Sequence, residues 1–488
     1  MRRYIKRFSI VLALVIASLN MYGQYNQTQY FMGIPQANMV NPAFRPSTNV
    51  YVGIPALSGI YFSMNNNMLS LSQIFQPLAG TDSLMTILHP DYNRDAFLNR
   101  LGNTGYISAD ASIQILGLGF TIQDNWFVDL SLSQKASASA YLPGDLITLL
   151  LEGNEGFLGS SVDLTRLGFE AMQYMESSVG VSRNIGDKLR VGGKFKLLFG
   201  GVGASLKSDR LELDVNQDFS HTLHSDISLN LSGPFTVTID EDGLIEDIVM
   251  DKDINPMDIL LNTGNSGVAF DLGAEYKILN NLSVSASIID LGFVGWKTNT
   301  FNFKANNNFS FDGFDLTQVI DGDLTFDEML ENFGDSLKNS FVLTDSEERF
   351  GTGLPTKVFL GANYRPIKYF GVGLLSRSTI NQGHFSQALS LSANLYAADI
   401  LSASLVYTMA NKTYSNLGFG LAVRSGPVQF YTIVDQIPLT WDKITFPEAE
   451  KAVSLPDRLD YINLRFGINL VFGKAKEKKS DTPMLLEN

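Results

Sequence analysis

The feature that most constrains this chain is a two-residue alternation of apolar and polar side chains, repeated in segment after segment. The last segment is the clearest. Ile462, Leu464, Phe466, Ile468, Leu470 and Phe472 fall on one face, and Asn463, Arg465, Gly467 and Asn469 on the other. Successive side chains of a β-strand point to opposite sides, so such a segment is a strand with one apolar and one polar face. The pattern returns at Trp126–Ser133, Leu189–Leu197, Val268–Lys277, Lys357–Tyr364 and Leu417–Arg424. A soluble sandwich would bury the apolar face. A membrane barrel turns it to lipid and keeps a polar lumen.

The connections decide between the two. The spacing predicts fourteen strands, near 48–63, 104–122, 126–142, 170–185, 188–207, 267–279, 281–297, 354–366, 369–381, 385–398, 400–410, 415–424, 427–439 and 460–472. Short turns fall at Gln123–Asn125, Gly186–Asp187, Asn280–Asn281, Pro366–Lys368, Asp399 and Ser425–Pro427. The alternate connections include the long segments 64–103, 143–169, 208–266, 298–353 and 440–459. An even strand number with short turns at one end and long loops at the other describes a bacterial transmembrane antiparallel β-barrel, all-β, with both chain ends periplasmic. Residues 209–240 also alternate. They are expected to form a β-rich excursion within an extracellular loop; two wall strands there, making sixteen, is the alternative. Trp126, Tyr276, Tyr364, Phe370, Tyr396 and Phe472 lie toward the short-turn ends and Trp296 and Tyr407 toward the long-loop ends, as expected of aromatic girdles at two lipid interfaces.

The ends of the chain agree with export. Arg2, Arg3, Lys6 and Arg7 precede an apolar run from Phe8 to Leu19, and Gly23 stands before Gln24. This is the layout of a signal peptide over residues 1–23, cleaved before Gln24. No later segment is long and apolar enough for a spanning helix. Cysteine is absent, which excludes disulfides and a lipidated N-terminal cysteine. The net charge of −14 excludes nucleic acid as a natural partner. Loops 208–266 and 298–353 together carry more negative charge than that whole net value, so the extracellular face is expected to be acidic. Within them, Asp247, Asp251 and Asp253, and Asp321, Asp323, Asp327 and Glu328, lie close in sequence but lack the spacing of a calcium loop. Thr325–Asn339 has helical periodicity.

No chemistry is legible. The four histidines, His89, His221, His224 and His384, form no metal pattern, and no nucleophile elbow or phosphate loop is present. We expect no enzyme, no catalytic residue, no metal and no cofactor. The polar faces place Arg190, Lys194, Lys196, Asp271, Glu275, Arg377, Arg424 and Arg465 in the lumen. The barrel proper is expected over 47–473, followed by a periplasmic tail, 474–488, with a basic start.

Residues 24–46 are too apolar for a free linker and do not alternate. Asn41-Pro42 forces a turn. The run Asn41-Pro42-Ala43-Phe44 ahead of the first strand resembles the N-terminal hatch of FadL-type outer-membrane channels. Gln29–Phe44 is similar to the start of PorP/SprF-type barrels of Bacteroidota, which are associated with type IX secretion and gliding. Tyr51–Gly59 resembles an uncharacterised family of Bacteroidota outer-membrane barrels. The FadL resemblance implies a hatch at 24–46, fourteen strands, transport of hydrophobic or amphipathic small molecules, a plugged lumen and an apolar pocket under the loops. It also implies a wall opening at a strand kink, for which Pro55 and Gly59 are the candidates because proline cannot donate to the ladder. The PorP/SprF resemblance implies the alternative, a non-transporting barrel that anchors a secretion, gliding or other surface complex through a protein partner. Under either reading the surroundings are outer-membrane lipid and lipopolysaccharide.

Overall fold

The computed structural model describes residues 27–66, 76–77, 84–87, 89–101, 103–217, 220–239, 245–250, 259–260, 262–311, 325, 328, 342–345, 348–381, 384–397, 400–410, 413–437, 441–446, 451–456 and 461–473. The expected signal peptide, the basic tail and the Asp251–Asp253 and Asp321–Asp327 clusters lie outside these residues. So does the helical segment 325–339, except for Thr325 and Glu328. Those two bond reciprocally, Thr325 N–H to Glu328 Oε2 at 2.7 Å and Glu328 N–H to Thr325 Oγ1 at 3.2 Å, the pairing that starts a helix.

Ahead of the wall lie a short helix, α1 (Gln27–Phe31), and a 3-10 turn over Pro35–Met39. The wall begins with β1, in two pieces, Val50–Gly53 and Ile60–Asn66. It continues with β2 (Thr104–Ile122), β3 (Trp126–Pro143), β4 (Gly168–Ile185), β5 (Leu189–Val215), β6 (Ser266–Leu279), β7 (Leu282–Trp296), β8 (Thr356–Ile367), β9 (Phe370–Asn381), β10 (His384–Ala397), β11 (Leu401–Ala410), β12 (Thr413–Ser425), β13 (Val428–Ile437) and β14 (Tyr461–Phe472). Each strand pairs antiparallel with the next, and the sheet closes where β1 meets β14, Val50 opposite Phe472 and Ile60 opposite Phe466. A closed barrel leaves no sheet edge unpaired, the condition for strands to stand in hydrocarbon. All fourteen expected strands are present.

The outer surface carries the apolar faces. Phe195, Phe270, Leu272, Leu360, Leu374, Leu391, Phe430 and Phe466 are exposed, while the intervening Asp129, Lys194, Lys196, Asp271, Asn469 and Arg377 are buried. An exterior of this kind is stable against lipid and not against water.

The sixteen-strand alternative falls away for a specific reason. His221–Ser232 and Thr300–Phe311 do form strands, but His221–Ser232 pairs with the outer half of β5, Gly203–Val215, and Thr300–Phe311 pairs with His221–Ser232. Along Leu189–Phe199 the neighbour of β5 is β6. At 27 residues β5 spans roughly 90 Å, far more than an apolar band of about 25 Å requires. Its outer half therefore belongs to a layer above the wall. Leu211, Leu213, Val215, Leu223, Ile227, Leu231 and Phe303 form a buried cluster with Leu146 and Leu149. The long loops contain α2 (Arg94–Leu101) and α3 (Gly144–Glu152), the latter following Pro143 and stopped by Gly153 at φ 79°. The run Leu146–Leu151 is too short to cross a membrane but apolar enough to cover a barrel mouth.

Two girdle assignments are corrected. Trp126, Tyr276, Tyr364, Phe370, Phe472 and Tyr407 face outward. Trp296 is fully buried and Tyr396 points inward, its hydroxyl donating to the Phe31 carbonyl at 3.4 Å. The cause for Trp296 is a bulge at Ile289–Asp290, with Asp290 at φ 60°. Ile288 and Leu291 both face out, so the alternation inverts and Val294 and Trp296 turn inward.

Candidate functional site inside the barrel

The segment from Gln27 to Phe44 is enclosed by the wall. Gln27, Thr28, Gln29, Tyr30, Phe31, Met32, Ile34, Asn41 and Ala43 are all at most 3 % exposed. Its partners are inward side chains of strands all round the barrel. The Thr28 amide donates to Asp435 Oδ1 on β13 at 3.2 Å, and its hydroxyl bonds the same oxygen. Tyr30 bonds Ser285 on β7 at 2.5 Å. Gln36 Nε2 donates to the Ser58 carbonyl and to Asn469 Oδ1 on β14 at 2.9 and 2.8 Å. The Val40 carbonyl accepts from Ser287 on β7. Arg45 donates to the Ser182 and Asn125 carbonyls at 2.8 Å, at the short-turn end of β3 and β4.

The Asn41-Pro42-Ala43-Phe44 run forms the expected turn. Asn41 Oδ1 accepts from the Ala43 amide at 2.9 Å, and the Phe44 amide donates to the Asn41 carbonyl at 2.9 Å. Asn41 Nδ2 reaches the Ala274 carbonyl on β6 at 3.3 Å. The Phe44 ring meets Tyr30 edge-on at 5.1 Å.

Glycines make room for this segment. A Cβ on Gly192 of β5 would stand 2.3 Å from the Pro42 oxygen, and one on Gly361 of β8 would stand 2.1 Å from the Tyr30 hydroxyl. Gly273, Gly373, Gly418 and Gly420 meet Asn41, Phe31, Thr28 and Met32 in the same way. Because the Gly192 obstacle is backbone, which cannot swing aside, we expect Gly192→Leu to displace residues 40–44 from the wall. Limited proteolysis with cleavage sites read by mass spectrometry checks this: the variant should be cut within 27–46 under conditions in which the parent chain resists.

Above the segment the lumen holds a cavity of about 120 Å³, lined by Gln29, Met39 and Val40 from the segment and by inward side chains of the wall. Five of the eight expected lumen charges line it: Lys194, Lys196, Asp271, Arg377 and Arg465. Lys196 is the hub, 2.7 Å from Asp271, 2.5 Å from Asp290 and 3.9 Å from Glu176. Lys135 pairs with Glu176 at 2.6 Å, Lys357 with Asp290 at 2.8 Å and Lys194 with Asp129 at 2.9 Å. Arg190 and Glu275 pair at 3.1 Å near the short turns, away from the cavity. Arg424 donates to the Gly426 and Val471 carbonyls at its own turn and joins neither group. The expected apolar pocket is thus amphipathic, with Met172, Ile289 and Phe359 beside the charges, while the apolar cluster under the loops is filled by its own side chains.

The wall bulges beside this cavity, with the Ile54 amide donating to the Ile468 carbonyl, the Ile468 amide to the Leu57 carbonyl and the Gln114 amide to the Gly59 carbonyl. Between Gly53 and Ile60, β1 has six residues where β14 has only Gly467 and Ile468. Pro55, Ala56 and Leu57 are exposed on the outside, Ala56 at φ 59°. Ser58 and Gly59 are buried, and Gly59 lines the cavity. Pro55 and Gly59 both lie in this bulge, and the side chain of Gln36 covers it from within, with Tyr431 donating to the same Ser58 carbonyl at 2.8 Å.

Thr28, Gln36, Asp290, Lys357 and Asp435 were not singled out from sequence. Asp290 had a signal: it is a carboxylate inside the apolar run Ile288-Ile289-Asp290-Leu291, where a wall strand tolerates one only at a bulge. The glycines had one too, since inward positions that carry glycine in place of a polar residue imply something packed against the wall.

A family model described as "Family of unknown function (DUF5723)" matches residues 42–435. No curated protein matches the chain in sequence. Among solved structures the chain is similar to a Pseudomonas aeruginosa FadL homologue (11 % identity, TM-score 0.40, covering 93 % of this chain and 100 % of that one). It is also similar to the Pseudomonas putida toluene transporter TodX (9 %, 0.36, 91 % and 94 %) and to the Ralstonia pickettii toluene transporter TbuX (9 %, 0.32, 93 % and 100 %). Identities this low say nothing of a substrate for the present chain.

Proposed function

We propose that this chain, which belongs to the DUF5723 family, is an outer-membrane channel for small amphipathic molecules, closed by residues 27–46 as its plug. The observation that carries the reading is the way the lumen is filled. The segment runs on into β1 and along its own length is held by separate hydrogen bonds and by close contact with glycines. Such contacts are worth about 1 kcal/mol each and can be exchanged one at a time. A barrel that served only as an anchor would gain more from a lumen filled by its own wall side chains. The cavity above the plug, part charged and part apolar, matches an amphipathic solute.

Uptake of p-toluenesulfonate, an amphipathic anion that does not cross lipid unaided, tests this in proteoliposomes. A chain lacking residues 24–46 should pass it at least tenfold faster than the full chain. Equal rates contradict the channel and leave the anchoring reading.

We infer that the bulge in β1, closed here by the bonds of Ile54 and Leu57 to Ile468, is where a sideways route from the cavity to the membrane would open. Deleting Pro55–Ser58 removes the four surplus residues and preserves strand parity. In the plug-deleted background this deletion should slow the transfer of an apolar dye into the bilayer and leave p-toluenesulfonate uptake unchanged. An unchanged dye rate excludes the route.

A further inference from the structure

We infer that the lumenal cavity is a binding site for a zwitterion of amino-acid size, with Arg465 receiving its carboxylate and Asp110 its ammonium. The inference rests on the reading of the lumen as a solute path and goes beyond it in naming the ligand class.

The four lysines of the cavity are matched by Asp129, Glu176, Asp271 and Asp290. Asp110 and Arg465 also line the cavity and belong to none of those four pairs. Arg465 is 6 % exposed and its Nε has no acceptor among the described residues. Its guanidinium lies over the Tyr61 ring at 4.4 Å. Among the described residues Asp110 accepts only a long bond from Ser63, at 3.4 Å, and it remains partly accessible to the cavity.

The sheet register keeps these opposite charges apart. Tyr61 of β1 stands opposite Arg465 of β14 on one side and Ser112 of β2 on the other, and Ser63 stands opposite Asp110. Arg465 and Asp110 are therefore two strands apart, roughly 10 Å between backbones, with the Tyr61 ring between them. They face one cavity without neutralising each other. A hydrocarbon there would give neither charge an ion-pair partner in contact: Asp110 would keep the Ser63 bond and the more distant Lys357 and Arg377, and Arg465 would keep Met39, Tyr431 and the Tyr61 ring, and a buried charge so weakly compensated is unfavourable. A simple anion would satisfy the arginine and be repelled by the aspartate. A molecule with a carboxylate and an ammonium at one end satisfies both, and the apolar lining at Val40, Ile289 and Phe359 accepts a branched aliphatic tail.

The test uses the intact chain in detergent and three probes sharing one carbon skeleton: leucine, 4-methylpentanoate, which lacks the ammonium, and 3-methylbutylamine, which lacks the carboxylate. Isothermal titration should show leucine binding at least tenfold more tightly than either. Arg465→Gln should bring leucine down to the level of the amine, and Asp110→Asn to the level of the acid. Arg465→Lys should retain part of the preference, which separates loss of charge from loss of packing. Heat-modifiable migration on gels shows which variants are folded. Equal affinity for all three probes, or no saturable leucine binding, overturns the inference. If leucine fails to bind while p-toluenesulfonate uptake still responds to loss of the plug, the channel reading stands and the zwitterion site does not.

Discussion

Replacing Lys196 by methionine is expected to destabilise the barrel by about 3–5 kcal/mol, the cost of breaking a buried ion pair from one side. Lys196 is 3 % exposed and its ammonium serves three carboxylates on three strands, Glu176 on β4, Asp271 on β6 and Asp290 on β7. After the substitution Lys135 still faces Glu176 and Lys357 still faces Asp290. Asp271 keeps a hydrogen bond from the Asp290 amide at 2.8 Å but loses its ammonium. The result is a buried carboxylate whose remaining cation is the more distant Lys194, itself paired with Asp129. Urea titration of folding into lipid bilayers measures the loss. The double substitution Lys196→Met with Asp271→Leu should recover much of it, because it removes both ends of the pair. A loss below about 1 kcal/mol for the single variant would mean that the cluster is hydrated like a surface pair.

Trp296→Ala carries the second large effect, about 3–5 kcal/mol, the usual range for truncating a large buried aromatic side chain. Trp296 is fully buried, donates from Nε1 to Thr352 Oγ1 at 2.9 Å and stacks on Phe350 at 5.9 Å. Gly200 and Gly203 of β5 leave the space it fills; a Cβ on either would stand 2.5 Å from the indole. An indole at the lipid interface would behave differently, since its removal leaves no cavity. Two single-tryptophan chains separate the cases. Lipids brominated along their tails should quench Trp126, which faces outward, and leave Trp296 bright. Equal quenching would place both on the exterior and remove the inversion at Asp290.

These results bear on what a sequence shows of such a molecule. The wall was legible because lipid outside and water inside impose one rule on every strand. The last strand obeys it as far as Val471, which is apolar and buried: Leu464 and Phe466 are exposed, Asn463, Arg465 and Asn469 buried. Parity failed where the backbone departs from regular pairing, and a single bulge at Ile289–Asp290 reversed the side on which Trp296 falls. The layer above the wall was read as excursions because a strand such as His221–Ser232 has no fixed address in sequence; the unusual length of β5 gives it a partner. Of the lumen, the charges on alternating faces were readable, but not which of them meet, since Lys196 and Asp290 lie 94 positions apart. The Asn41-Pro42 turn was visible as a turn. That Gly192 and Gly273 accommodate it could be seen only once the strands were set side by side.

The most direct measurement of the plug is a cross-link. The chain has no cysteine, so a designed pair is unambiguous. A Cβ on Gly418 would stand 2.6 Å from Thr28 Oγ1, the position a cysteine sulfur would take, and this falls within the reach of a disulfide. The variant Thr28→Cys with Gly418→Cys, folded and then mildly oxidised, should form one intramolecular bond. It should pass p-toluenesulfonate no faster than the parent chain, even when the other plug contacts are weakened by Gln36→Leu. Reduction should then release the segment and raise uptake. If both thiols remain free after oxidation and react with a membrane-impermeant maleimide, residues 27–46 do not occupy the lumen, and the barrel is closed by something else.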